Sequence, residues 1–211
     1  MIKCKLLLVC SLLLIVSGCG SSRKTTSPSA AIIVVDDGTS VAETTGSIDS
    51  TNALKVKTYT ALQKKYAESL HVAPDEITNV RLYSFIDNWL YTPYLWGGTT
   101  KQGIDCSAFV QQLLEYVYQI NLPRTSLEQF YTDWIELFIS TQYLREGDLV
   151  FFKTLKNNNP VTHIGFYLKN QMFVNSSSEG VSIQSLNKQY WKSRFVAAGR
   201  IKSIKLVGYK K

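Results

Sequence analysis

Cys106 follows a glycine-rich stretch, Gly97-Gly98-Thr99-Thr100-Lys101-Gln102-Gly103, and opens the apolar pattern Phe109, Val110, Leu113, Leu114, Val117. That spacing predicts a helix with Asp105 as N-cap and the thiol in its first turn. Unsatisfied amides and the positive end of the helix dipole favour thiolate there, and thiolate is the nucleophilic form. A lone cysteine is also a common small buried hydrophobe, so position alone leaves nucleophile and core residue both open. A nucleophilic thiol needs a base, and the chain has two histidines. His71 ends a helical pattern beside Ala73-Pro74 and reads as a surface residue. His163 begins a period-two run in which His163, Gly165 and Tyr167 share one face and Ile164, Phe166 and Leu168 the other. A histidine sharing a face with glycine has room for substrate or a helix end, which favours His163 as base over a structural histidine at a strand edge.

A third group must hold the imidazole, and strand register selects it. If Leu168-Lys169-Asn170 is a three-residue turn, His163 lies opposite Asn175, whose side-chain oxygen can accept a ring N–H bond. If Lys169-Asn170 is a two-residue turn, Ser176 takes that place.

The elements that carry these residues change character along the chain. Tyr59, Leu62, Tyr66 and Leu70 fall at helical spacing, stopped by Ala73-Pro74-Asp75. Leu82, Phe85, Ile86, Trp89 and Leu90 form a second core-facing stripe. After about residue 147 the period becomes two: 147–152, 163–168, 171–177, 180–186 and 196–203 read as strands. Helices followed by an antiparallel meander predict an α+β fold, with N-terminal helices packed on a sheet of five to six strands.

The chain start reads differently. Lys3 and Lys5 precede the eleven-residue apolar run Leu6–Val16, closed by Ser17-Gly18-Cys19. This is the order of an export signal, and the run is too short to span a bilayer. Val16-Ser17-Gly18-Cys19 resembles the bacterial lipobox, which implies acylation of Cys19 after removal of residues 1–18. Cys4 and Cys10 leave with the signal, and Cys106 is then the single thiol left for chemistry. Gly20, in place of aspartate, resembles signals for outer-membrane delivery in Gram-negative bacteria, implying a periplasmic-face lipoprotein of the cell envelope. Residues 19–52 are dominated by Ser, Thr, Gly and Asp, and all 25 aromatic residues lie at or beyond Tyr59. That segment reads as a flexible tether. Its run Ile32-Ile33-Val34-Val35 has no account beyond a transient strand. Residues 53–78 form a helical lead-in and 79–211 the working domain.

Hydrophobic content of 45% and charged content of 18% exclude wholesale disorder. Two histidines and few cysteines argue against a Cys/His metal cage. Residues 79–211 carry 15 basic and 9 acidic groups, a net of +6. A basic domain fits an anionic polymer. There is no basic motif interleaved with aromatics, so nucleic acid is not expected, and neither is an oligomer.

Tyr94-Leu95-Trp96-Gly97-Gly98, Gly103-Ile104-Asp105-Cys106-Ser107, Leu122-Pro123-Arg124-Thr125-Ser126, Gly147-Asp148-Leu149-Val150-Phe151-Phe152 and His163-Ile164-Gly165 resemble, in order, the signature blocks of the NlpC family of papain-like cysteine peptidases. The resemblance implies a papain-like domain that cuts peptidoglycan stem peptides without a cofactor. It implies Cys106 as nucleophile, His163 as base and Asn175 as third residue. It also implies Tyr94 beside the oxyanion, and Asp105 and Ser107 holding the stem peptide, including its free amino group. The bond cut would lie between D-glutamate and a diamino acid such as diaminopimelate, or in the D-alanine cross-link. The chain departs from the commonest pattern at Asn175, usually histidine, and at Ala108, often glycine.

Overall fold

A computed structural model describes residues 57–202. The expected signal (1–18), Cys19, the tether (19–52) with Ile32-Ile33-Val34-Val35, and the first residues of the lead-in lie outside the described residues.

Helix α1 (Ala61–Leu70) starts at a reciprocal cap between Thr60 and Gln63 and ends at His71, an exposed residue in left-handed conformation (φ 53°). Helix α2 (Val80–Trp89) is capped by Asn79 and buries Leu82, Phe85, Ile86 and Trp89, the stripe its spacing predicts. A small hairpin, β1 (Thr99–Thr100) and β2 (Gly103–Ile104), leads into α3 (Cys106–Tyr118). Beyond it come α4 (Ser126–Tyr131), β3 (Ile135–Phe138), β4 (Leu149–Phe152), β5 (His163–Tyr167), β6 (Met172–Ser177), β7 (Gly180–Ser185), a single-turn α5 (Gln189–Lys192) and β8 (Phe195–Ile201). The main sheet has the order β3-β8-β4-β5-β6-β7, antiparallel throughout. The fold is therefore α+β with six strands. Helices and strands are less segregated than expected, because the small hairpin and β3 come early. Strand β3 is an edge strand with two exposed residues, Glu136 and Leu137, and lacks the clean alternation that marks the others.

Helix α3 packs over β5 and β6. Its Phe109, Val110, Leu113 and Leu114 share a core with Ile164, Phe166 and Val174, all fully buried. Tyr167 faces a second cluster on the other side with Phe152, Phe173 and Trp191. The two faces of β5 thus alternate as expected. Asp148 pins the sheet: Arg200 on β8 reaches it twice, Nε and Nη2 each donating at 2.8 Å to a carboxylate only 2% exposed as a residue.

The β5–β6 hairpin departs from both expected registers. Phe166 faces Val174, Tyr167 faces Phe173, and Leu168 N donates to Met172 O. The loop is Lys169-Asn170-Gln171, with Asn170 and Gln171 at φ 49° and 61°. Carried back along the strand, position 163 falls opposite 177, neither 175 nor 176. A slip of two keeps every side chain on its face, so Asn175 remains a diagonal neighbour of His163 while Ser176 points away. The room expected beside Gly165 is filled. A Cβ there would lie 2.5 Å from Phe173 Cδ2 and 3.1 Å from Val174 O. Gly165→Ala should therefore lower the free energy of unfolding by about 1–3 kcal/mol, read from the midpoint of urea denaturation. An unchanged midpoint would show that Phe173 can swing aside.

Candidate active site

The start of α3 is built by one carboxylate. Asp105 Oδ1 accepts from Ala108 N at 2.8 Å, Ser107 Oγ at 3.0 Å and Arg124 Nη1 at 3.0 Å. Its Oδ2 accepts from Arg124 Nη2 at 2.6 Å and Gly97 N at 3.1 Å. Burial pushes this carboxyl up, but the bonds from Arg124, Ala108 and Ser107 outweigh it and hold it below the usual carboxylate range. Both oxygens are thus engaged within the protein. Arg124, also bonded to Ser107 Oγ at 3.0 Å, is a charged member of the site absent from the expected set. Its signal in the sequence was the Leu122–Ser126 block, which gave it no role.

Cys106 is 6% exposed in the first turn of α3, and the main chain of Ile164 lies near enough to its sulfur to favour the thiolate. The peptide that follows His163 therefore lies against the thiol. His163 Nε2 is 3.0 Å from Asn175 Oδ1. A carbonyl oxygen only accepts, so this contact assigns the proton to Nε2 and leaves the Nδ1 lone pair open. Trp191 stacks on the imidazole, centroids 5.2 Å apart and planes at 25°. Asn175 is fully buried, and Ser176 Oγ instead donates to Ile104 O at 2.7 Å, tying β6 to the segment before Cys106. His71 stays exposed, away from this group.

Two clefts meet at half-buried Tyr94. One, of about 370 Å³, is lined by Cys106, Ser107, Arg124 and Trp96, and the other, of about 350 Å³, by His163, Trp191, Glu179 and Lys188. Burial, then the neighbouring Cys106, which is itself ionised only at alkaline pH, and the Asp105 carboxylate push the Tyr94 hydroxyl up to about 12, so it stays a donor. A larger hollow of about 590 Å³ beside His71, Arg145 and Lys169 contains neither Cys106 nor His163. No group of three His, Cys, Asp or Glu among the described residues could hold a metal ion.

The titration of the pair reverses the expectation of a thiolate. Burial pushes the Cys106 thiol up to about 11, against a smaller lowering by main-chain bonds from Ile164, Ser107 and Cys106 itself. Burial pushes the His163 imidazole down to about 4, against the Asn175 bond. Desolvation outweighs the helix terminus, and both groups are neutral at pH 7.

Residues 91–200 match the family model described as NlpC/P60 family. The chain is similar to the "probable endopeptidase NlpC homolog" of Haemophilus influenzae, 42% identical over 57% of this chain and 61% of that protein. It is also similar to the "murein DD-endopeptidase MepS/murein LD-carboxypeptidase" of Escherichia coli, 37% identical over 64% of this chain and 73% of that one. Among solved structures, an NLP/P60-family protein of Staphylococcus aureus, described as similar to lipoprotein, superposes with a TM-score of 0.52 at 27% identity. It covers 59% of this chain and 41% of its own. The chain therefore spans about three fifths of the Haemophilus protein and under half of the Staphylococcus one.

Two measurements check the electrostatics. Alkylation of Cys106 by iodoacetamide, followed at its own peptide by mass spectrometry, should accelerate through alkaline pH toward a midpoint near 11; a plateau reached by pH 8 would reveal a preformed thiolate. His163 has a folded pKa near 4 against an ordinary value of 6.5, so the unfolded chain binds more protons between these values. Its contribution to stability is present above pH 6.5 and lost as pH falls toward 4, by up to about 3 kcal/mol. His163→Gln should flatten urea-unfolding stability across that window, and an unchanged slope would assign the loss elsewhere.

Proposed function

The chain belongs to the NlpC/P60 family, and from that premise we propose that it is a cysteine endopeptidase of peptidoglycan, monomeric and lipid-anchored through Cys19. The observation that carries the reading is the His163 Nε2–Asn175 Oδ1 contact of 3.0 Å, which leaves the Nδ1 lone pair open on the residue that precedes Ile164, whose main chain favours the Cys106 thiolate. The Cys106 thiol gives its proton to Nδ1 as its sulfur attacks the peptide carbonyl. Asn175 orients the ring and accepts more strongly as the imidazolium forms. The Cys106 main-chain N–H and the Tyr94 hydroxyl stabilise the oxyanion. His163 then protonates the leaving amine, and water, activated by the same imidazole, releases the acyl group from sulfur.

The substrate is the stem peptide or cross-link of peptidoglycan, in keeping with the relative named as a murein DD-endopeptidase. Acylated Cys19 and a tether of residues 19–52 would hold the domain at the periplasmic face of the outer membrane, with reach into the wall. The raised thiol favours one competing reading, a wall-binding lipoprotein with little turnover.

Digestion of purified peptidoglycan by the full-length chain, with fragments identified by mass spectrometry, separates the two. Soluble muropeptides should appear, fall by at least about 1,000-fold in Cys106→Ala and His163→Ala, and fall by a smaller factor, about tenfold, in Asn175→Ala. Wild-type binding without release would refute the endopeptidase reading.

A further inference from the structure

His163 hands its proton to the departing amine, so the residue that leaves must lie on His163's side of Cys106. The cleft there is bounded by Tyr94, His163 and Trp191 and also by Glu179, Gln184 and Lys188. The last three form one chain of bonds. Gln184 Nε2 donates to Glu179 Oε2 at 2.7 Å, and Lys188 Nζ donates to Gln184 Oε1 at 2.7 Å. Gln184 is 5% exposed and contacts Ser182 Oγ at 3.2 Å, so its amide is held at both ends. It keeps a carboxylate and an ammonium apart while bonding each. Both charged residues are exposed, and among the described residues neither makes an ion pair.

The backbone is as firmly placed as the amide. Glu179 ends the two-residue turn between β6 and β7, and Gly180 follows at φ 75°, where a Cβ would lie 2.7 Å from Thr92 O. Val181 N donates to Thr92 O and Tyr91 N to Val181 O, each at 2.9 Å. Thr92 is two residues from Tyr94, so the turn that carries Glu179 is tied to the site itself.

We propose that the Glu179–Gln184–Lys188 chain is the subsite for the leaving residue, and that it takes an amino-acid end bearing ammonium and carboxylate on one carbon. Lys188 binds the carboxylate and Glu179 the ammonium. A free end with both charges satisfies both arms, whereas a lone ammonium would meet Lys188 as well as Glu179. The inference rests on the endopeptidase reading and names which leaving residue that site selects.

The test gives the full-length chain four synthetic stem peptides that differ only beyond the scissile bond. They carry meso-diaminopimelate, its form with the free-end carboxylate amidated, its form lacking the free-end ammonium, and lysine. The kcat/KM for diaminopimelate should exceed each of the others by about tenfold. Lys188→Gln should erase the preference over the amidated peptide but keep that over the peptide lacking the ammonium, and Glu179→Gln should do the reverse. Equal cleavage of all four by the wild type, or variants that lower all four alike, overturns the subsite and leaves the endopeptidase reading standing. Failure to cut any peptide or intact peptidoglycan overturns that reading and the subsite with it.

Discussion

The carboxylate of Asp105 gathers five donors from three separate stretches of chain: the Gly97 loop, the first turn of α3 and the Arg124 guanidinium. Each stretch also borders the cleft that contains Cys106. Bonds to a buried charge are strong where every lone pair is used, and removing one partner of such a set leaves the others uncompensated. The position of the sulfur, the wall formed by Trp96 and Gly97, and the direction in which Arg124 points are consequences of one residue's ionisation. Because the surrounding bonds hold that carboxyl below the usual range, the arrangement persists at neutral pH.

A second constraint is the dryness of the pair itself. Helix α3 meets β5 over large apolar side chains, and Trp191 covers the far side of His163. The same packing that fixes the imidazole 3.0 Å from Asn175 also strips water from it and from the thiol. Positioning and charge formation therefore compete. Asn175 contributes a fixed dipole in place of a carboxylate, which orients the ring without creating another buried charge to be compensated.

Much of this was legible in the sequence because it depends on spacing. Helical stripes, the Asp105 cap and the alternation of β5 follow from periods of 3.6 and two, which a chain displays directly. The hairpin register was not legible, since the loop uses Asn170 and Gln171 in left-handed conformation, which Asn tolerates but Gln rarely signals. The pairing of His163 with Asn175 survives because parity, which sets the face, is more robust than register. Strand β3 is not legible because an edge strand with exposed Glu136 and Leu137 has little alternation to show. The protonation of Cys106 is not legible for a deeper reason: a helix terminus is local and visible in the sequence, whereas desolvation depends on what the rest of the chain stacks around the residue.

The protonated state of Cys106 has a consequence outside peptide chemistry. Thiol–disulfide exchange proceeds through thiolate, and a group with a pKa near 11 offers only about one part in ten thousand of it at pH 7. Together with 6% exposure, this makes the sulfur slow to form mixed disulfides or sulfenic acid. Among the described residues there is no second cysteine to rescue it from oxidation. Burial gives it shelf life.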